Sequence, residues 1–192
     1  LYAMLGMLVV GFVFVKDLNG AASFAQLYDN AWHLSAIESM MQHGNFSVFA
    51  SSLYSTDEIA VGISPASAPG GFYPASWHIV TALSASMVGI SAPVAENASL
   101  TIFMGLVFPL ALCLLLVILF EERKIVALGS LLMLAFTAFP WGFLTFGPLY
   151  SNLAAYCVLP ISVAAVCGLF CKTSSMRNRR SWMILLVFSG AS

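Results

Sequence analysis

Long apolar runs alternate with short polar segments along this chain, and the pattern predicts an all-α fold. Residues 97–120, 125–147 and 149–171 each run without a charged side chain, and each is long enough to cross a bilayer, which takes roughly 20 residues. Residues 1–15 and 181–192 are also apolar and stop at the chain ends. We therefore expect a polytopic transmembrane helix bundle with two truncated outer spans, belonging to a longer protein.

The stretch 16–96 is less apolar and is predicted to be a large first extracytoplasmic loop bearing two juxtamembrane helices. The first helix covers about 29–43, where Gly44 provides a usual helix stop. The second covers about 75–90 and follows Pro74, since proline is favoured in a first helical turn. This second stretch is too short for a comfortable span, so we expect it to lie at the membrane interface.

Composition and charge strengthen the membrane assignment and orient it. Hydrophobic residues make up 60% of the chain and charged residues only 8%, which excludes an ordinary soluble domain. Six of the seven Lys and Arg residues lie in two connectors, 121–124 and 172–180, and basic connectors face the cytoplasm. Counting crossings from them places loop 16–96 outside. We predict a multi-pass protein integral to the plasma (cytoplasmic) membrane, with that loop extracytoplasmic.

Two aromatic–histidine clusters concentrate the polar chemistry in the loop. They cover 28–33 (Tyr-Asp-Asn-Ala-Trp-His) and 73–78 (Tyr-Pro-Ala-Ser-Trp-His), and the remaining histidine, His43, lies between them. By contrast, 97–120 and 125–171 contain no Asp, Glu, Lys, Arg or His. Intramembrane carboxylates or histidines mark proton and ion pathways, so we expect the site in the loop and not in the spans.

Asp29 is the leading catalytic candidate. A carboxylate at the outer membrane face can act as a general base toward an acceptor hydroxyl or amine, or can bind a metal. The alternative is a helix N-cap, because Asp is favoured there and Asp29 stands where a helix is predicted to begin. The two interpretations are compatible.

The histidines suggest a metal site without establishing one. His33 follows Asp29 by one helical turn, and Asp and His at this spacing can share an ion. His78 would have to fold back to supply a third ligand. The alternative is that these side chains, like Trp32 and Trp77, belong to the aromatic belt of a membrane interface. Spacing alone favours the belt.

The other acidic residues of the loop have simpler explanations. Asp57 and Glu58 are adjacent in a turn-rich stretch and fit a solvated loop. Glu96 directly precedes the predicted span 97–120, where a carboxylate interacts favourably with the positive end of a helix. We interpret Glu96 as structural.

The order of these parts resembles the amino-terminal end of the GT-C superfamily of membrane glycosyltransferases. Asp29 matches the acidic position on the first loop helix of those enzymes, and Tyr-Pro-x-x-Trp at 73–77 matches their second motif. More narrowly, Asp-x-x-x-His at 29–33, Gly-Asn at 44–45 and Tyr-Pro-x-x-Trp-His at 73–78 resemble a group of uncharacterised actinobacterial multi-spanning membrane proteins. The resemblance covers roughly residues 1–150.

The resemblance implies transfer of a sugar from a polyprenyl-phosphate carrier to an envelope acceptor on the outer face. Asp29 would then be the catalytic base. The substrate-binding candidates are His33, Tyr73, Trp77 and His78. The implied partners are the lipid bilayer and a polyprenyl-phosphate-linked sugar, and no nucleic acid is expected.

Two departures weaken the catalytic assignment. Many GT-C enzymes pair the first acid with another, whereas Asn30 follows Asp29 here, and the loop beyond Lys16 contains no Lys or Arg to bind a donor phosphate. A divalent cation held by Asp29, His33 and His78 could substitute. Two other functions remain open at this point: a transporter or flippase of lipid-linked envelope precursors, and a non-enzymatic envelope assembly protein.

Overall fold

The computed structural model describes residues 1–49, 72–147, 149–170 and 179–190. These residues form helices joined by loops and contain no strand, so the all-α prediction is confirmed for this part of the chain. The helices are α1 (Tyr2–Val13), α2 (Tyr28–His43), α3 (Ser76–Val88), α4 (Ala92–Leu119), α5 (Arg123–Leu132), α6 (Phe143–Phe146), α7 (Tyr150–Phe170) and α8 (Arg179–Gly190). The predicted turn-rich stretch around Asp57 and Glu58 lies outside the described residues.

Two of these helices are long and apolar enough to cross a membrane, Ala92–Leu119 and Tyr150–Leu169, which indicates a membrane protein. A third span is present among the described residues if Arg123–Ala135 and Thr137–Phe146 act together. The predicted outer spans, 1–15 and 181–192, overlap α1 and α8, which are helices of 12 residues each.

The predicted single helix over 125–147 is corrected by the structure. Arg123–Ala135 and Thr137–Phe146 meet at an angle of 53°, because Phe136 has φ −84° and ψ 83°, outside the helical region. Pro140 follows and has no N–H to donate to a helical ladder. The indole of Trp141 donates a hydrogen bond to the carbonyl of Met133 at 3.1 Å, so a carbonyl near the break is satisfied by a side chain.

The start of the next predicted span is also shifted. The sequence suggested a span over 97–120, whereas helix α4 begins at Ala92. The earlier start is compatible with Pro93, because proline is favoured in the first turn of a helix. Glu96 is therefore inside the helix and not in front of it. The two loop helices lie close to their predicted positions and end at glycines in the left-handed conformation, Gly44 with φ 69° and Gly89 with φ 73°.

The chain divides into two compact units. The apolar unit comprises Leu1–Asp17, Leu100–Phe146 and Asn152–Ser192, and the polar unit comprises Leu18–Ser99 and Gly147–Ser151. In the apolar unit, α1 packs with its Gly6 directly against the backbone of Gly105. The hydroxyl of Tyr2 donates a hydrogen bond to the carbonyl of Val126 at 2.6 Å. The absence of a side chain at Gly6 thus allows the backbone of α1 to approach that of Gly105 closely in this unit.

Candidate functional site

The first turn of α2 is anchored by a buried amide. Asn30 is fully buried, and its side-chain nitrogen donates hydrogen bonds to the carbonyl of Ala25 at 3.0 Å and to Oε1 of Glu96 at 3.1 Å. The hydroxyl of Tyr150 donates to the same oxygen at 3.1 Å. Since all four residues belong to the polar unit, the start of α2 is joined there to the first turns of α4 and α7.

One turn further along α2, the two predicted clusters meet through their histidines. Nδ1 of His33 lies 2.7 Å from Nε2 of His78, and the rings stack with their centroids 5.0 Å apart. One of these two nitrogens carries a hydrogen and donates a hydrogen bond to the other. Burial, with the positive charge of a protonated His33 second, holds the pKa of His78 well below its ordinary value of 6.5. His78 is therefore neutral at pH 7.

Aromatic rings surround the histidine pair. Trp32 and Tyr73 pack edge to face with centroids 4.3 Å apart, so each cluster contributes one ring to this contact. The ring of Tyr150 lies 4.6 Å from that of Trp77 and 5.0 Å from that of His33. Tyr150 therefore connects the histidine pair to Glu96 through one side chain.

Four buried polar atoms of this assembly have no hydrogen-bond partner among the described residues. They are Oδ1 of Asn30, Nε1 of Trp77, Nδ1 of His78 and Oε2 of Glu96. Buried polar side chains are normally paired, and all four of these belong to the polar unit. Each of these atoms is available to a bound water molecule, ion or ligand.

Asp29 lies beside this buried assembly but is itself exposed. The N-cap of α2 is Leu27, and no side chain caps the helix, so the N-cap interpretation of Asp29 is wrong. Asp29 stands in the first turn, where its charge is favoured by the helix dipole. Burial raises the pKa of Tyr73, a hydrogen bond with Ser151 opposes the rise, and the carboxylate of Asp29 adds to it. Asp29 and Tyr73 are thus within electrostatic reach.

Of the three proposed metal ligands, the structure brings together two. His33 and His78 bond to each other, while Asp29 remains exposed. Within the described residues, no three His, Cys, Asp or Glu side chains lie close enough to share a metal ion. The contact shown for the histidine pair is the hydrogen bond between the two rings.

The whole chain, residues 1–192, matches the model of a family of unknown function, DUF6541. The chain belongs to this family. No curated protein and no solved structure matches it. Membership in DUF6541 names neither an activity nor the GT-C superfamily, so the function of this member has to be argued from the geometry of its polar unit.

Sequence reasoning about this DUF6541 member missed Asn30, Glu96 and Tyr150. Glu96 is only 1% exposed and binds two side chains, so the role suggested by its place near a helix start is too simple. One signal was available, because Glu96 is the only Asp, Glu, Lys, Arg or His in the 28 residues of α4. An isolated ionisable residue in an apolar helix indicates function. Nothing in the sequence pattern marked Tyr150.

Proposed function

We propose that this protein is a GT-C-like glycosyltransferase that moves a sugar from a polyprenyl-phosphate carrier to an envelope acceptor. The observation that supports it most is the meeting of the two clusters, with His33 and His78 2.7 Å apart and the exposed Asp29 one turn before His33. Two short motifs from separate helices therefore contribute to one site in the polar unit.

In the proposed reaction, Asp29 is the general base. It accepts the proton of the acceptor hydroxyl, whose oxygen then forms a bond to the anomeric carbon of the sugar. The bond from that carbon to the carrier phosphate breaks, and polyprenyl phosphate leaves with the electron pair. The exposure of Asp29 suits this role, because a general base has to reach a proton on a bound acceptor.

The remaining predicted residues have positions that suit substrate binding and its support. Tyr73 is half-buried and lies within electrostatic reach of Asp29, so its ring and hydroxyl are placed to contact a sugar. Trp77 and His78 are buried, and each has one nitrogen without a partner among the described residues. We assign these two, with His33, the role of holding Trp32 and Tyr73 beneath the substrate.

The lengths of the helices support the proposed topology. The first turns of α4 and α7 lie together in the polar unit through Glu96 and Tyr150. The 28 residues of α4 rise about 42 Å, more than a hydrocarbon core of about 30 Å. Because two crossings have to lie between the basic connectors 121–124 and 172–180, we treat Arg123–Ala135 and Thr137–Phe146 as a single broken span. The basic connectors then share the cytoplasmic side.

The test is Asp29→Asn in the full-length protein. Membranes of a strain lacking the chromosomal copy are supplied with lipid extract containing labelled polyprenyl-phosphate sugars, and incorporation into envelope glycan is measured. We expect the variant to lose at least about 100-fold in transfer rate, the usual contribution of a general base.

Glu38→Gln is the matched control. Glu38 is an exposed carboxylate on the same helix, and it accepts a hydrogen bond from Gln42 at 2.8 Å. Its substitution therefore removes the same charge at a position outside the two clusters. Transfer should stay within about twofold of wild type, an effect below 0.5 kcal/mol. Equal transfer by Asp29→Asn and wild type, at equal amounts of protein in the membrane, would refute the proposal.

A further inference from the structure

The polar unit carries negative charge without a cationic side chain to balance it. Residues 18–99 and 147–151 contain five Asp and Glu residues and no Lys or Arg. Among the described acids of this unit, Asp29 and Glu38 are exposed, whereas Glu96 is 1% exposed. A buried carboxylate without a positive partner is costly in free energy, so Glu96 is compensated either by a bound proton or by a cation.

The hydrogen bonds of Glu96 do not supply this compensation. Both of them reach Oε1, and both donors, the amide of Asn30 and the hydroxyl of Tyr150, are neutral. The other oxygen, Oε2, is buried and has no partner among the described residues. His33 and His78 bond to each other, and His78 is kept neutral by burial.

Asn30 leaves a second buried oxygen without a partner among the described residues. The side-chain nitrogen of Asn30 donates to two acceptors, the carbonyl of Ala25 and Oε1 of Glu96. Oδ1 therefore has to point the other way, where it is buried and unpaired among the described residues. Two unpaired oxygens thus belong to side chains that bond to each other.

We propose that Oε2 of Glu96 and Oδ1 of Asn30 bind a monovalent hard cation, Na⁺. Carboxylate and amide oxygens are ligands for hard cations, whereas imidazole and thiolate select transition metals. One carboxylate balances one positive charge, and a divalent ion gives up its water far less readily. The site goes beyond the proposed glycosyl transfer and does not depend on it. A buried water molecule could donate to both oxygens, but it would leave the charge of Glu96 uncompensated.

The experiment measures thermal unfolding of the purified full-length protein in detergent or nanodiscs. NaCl replaces choline chloride at constant ionic strength, from 1 to 300 mM. Because Na⁺ binds only the folded state, the melting temperature should rise with the logarithm of the Na⁺ concentration, and the folding equilibrium constant should grow about 100-fold at 100 times the dissociation constant.

Glu96→Gln removes the charge and keeps an Oε1 that can accept from Asn30 and Tyr150. We expect it to fold and to lose the response to Na⁺, while the exposed Glu38→Gln and Asp29→Asn keep it. Binding of ²²Na⁺ to folded wild type and to Glu96→Gln gives a second measurement that does not depend on unfolding. The Asp29→Asn result separates this site from the transferase proposal.

Three outcomes would overturn the inference. A melting temperature that is the same in NaCl and choline chloride would mean that Glu96 is neutralised by a proton. An unchanged Na⁺ response in Glu96→Gln would place the ion elsewhere. A response to Mg²⁺ or Ca²⁺ but not to Na⁺ would contradict the monovalent assignment.

Discussion

The two units of this protein are stabilised in opposite ways. In the apolar unit, Gly6 of α1 meets the backbone of Gly105, and Trp182 lies against Gly168, so the absence of side chains permits close packing. In the polar unit, Asn30, Glu96 and Tyr150 are linked by hydrogen bonds between buried side chains. The apolar unit is therefore stabilised by close packing, and the polar unit is stabilised by hydrogen bonds between buried side chains.

The difference predicts how each unit responds to change. Close-packed apolar contacts tolerate changes of pH but not added volume. Buried hydrogen-bonded groups respond strongly to the loss of one partner and to protonation. Candidate chemistry lies in the polar unit, which also contains all the unpaired buried atoms found among the described residues.

The largest effect is expected from adding volume to the apolar unit. In Gly6→Ala, the new methyl group would meet the carbonyl oxygen of Gly105 and lie 2.5 Å from Cγ of Pro109. Overpacking against backbone should cost about 3 kcal/mol, seen as a lower melting temperature. Gly11→Ala on the same helix meets nothing within 4 Å and should be neutral or stabilising. Equal effects of the two substitutions would contradict this account of the packing.

The second prediction concerns pH and the polar unit. His78 has a folded-state pKa well below 6.5, so below pH 6.5 the unfolded chain binds a proton that the folded state excludes. The contribution of a neutral, buried His78 to stability is therefore lost as the pH falls from 6.5 toward the folded-state pKa, at up to about 1.4 kcal/mol per pH unit. The measurement is the melting temperature between pH 7.5 and 5.

Two variants locate that pH dependence. His78→Gln removes the titrating group and should flatten the curve, whereas the exposed His43→Gln should leave its slope unchanged. A pH dependence between 6.5 and 5 that is the same in wild type and in His78→Gln would show that His78 is protonated without cost. Burial of His78 would then not make the stability of the polar unit depend on pH.

The smallest effect compares one hydroxyl in each unit. Tyr150→Phe removes a hydrogen bond to Glu96 and keeps the ring against Trp77, so we expect a loss of about 1 kcal/mol. Tyr156→Phe makes the same change in the apolar unit, where the side chain is 45% exposed. Its melting temperature should match wild type. A larger loss at Tyr156 than at Tyr150 would reverse the comparison.

Much of the fold could be predicted because its signals are local. The long apolar helices and the helices α2 and α3 follow from runs of apolar residues and from stop signals such as Gly44, which depend on neighbouring positions in sequence. Pro140 is a local signal for a kink in 125–147, but the break itself lies at Phe136, among apolar residues, and only the backbone angles give its position. The N-cap at Leu27 was missed because it lacks a capping side chain.

The candidate site was predicted only in part. The two clusters indicated His33 and His78, and the structure shows them in contact. The role of Asp29 is still a prediction, now without the N-cap alternative. Tyr150 lies in an apolar helix, and no sequence pattern connected it with Glu96.

By itself, the sequence determined that this chain is helical and apolar, and where its polar chemistry is concentrated, because length, hydropathy and charge are properties of the chain itself. Only the tertiary structure decided which polar groups are buried together. Asn30 and Glu96 bond across 66 positions of sequence, and the cost of burying a carboxylate depends on neighbours that folding supplies. The structure therefore extended the candidate site from Asp29 and the two clusters to Glu96.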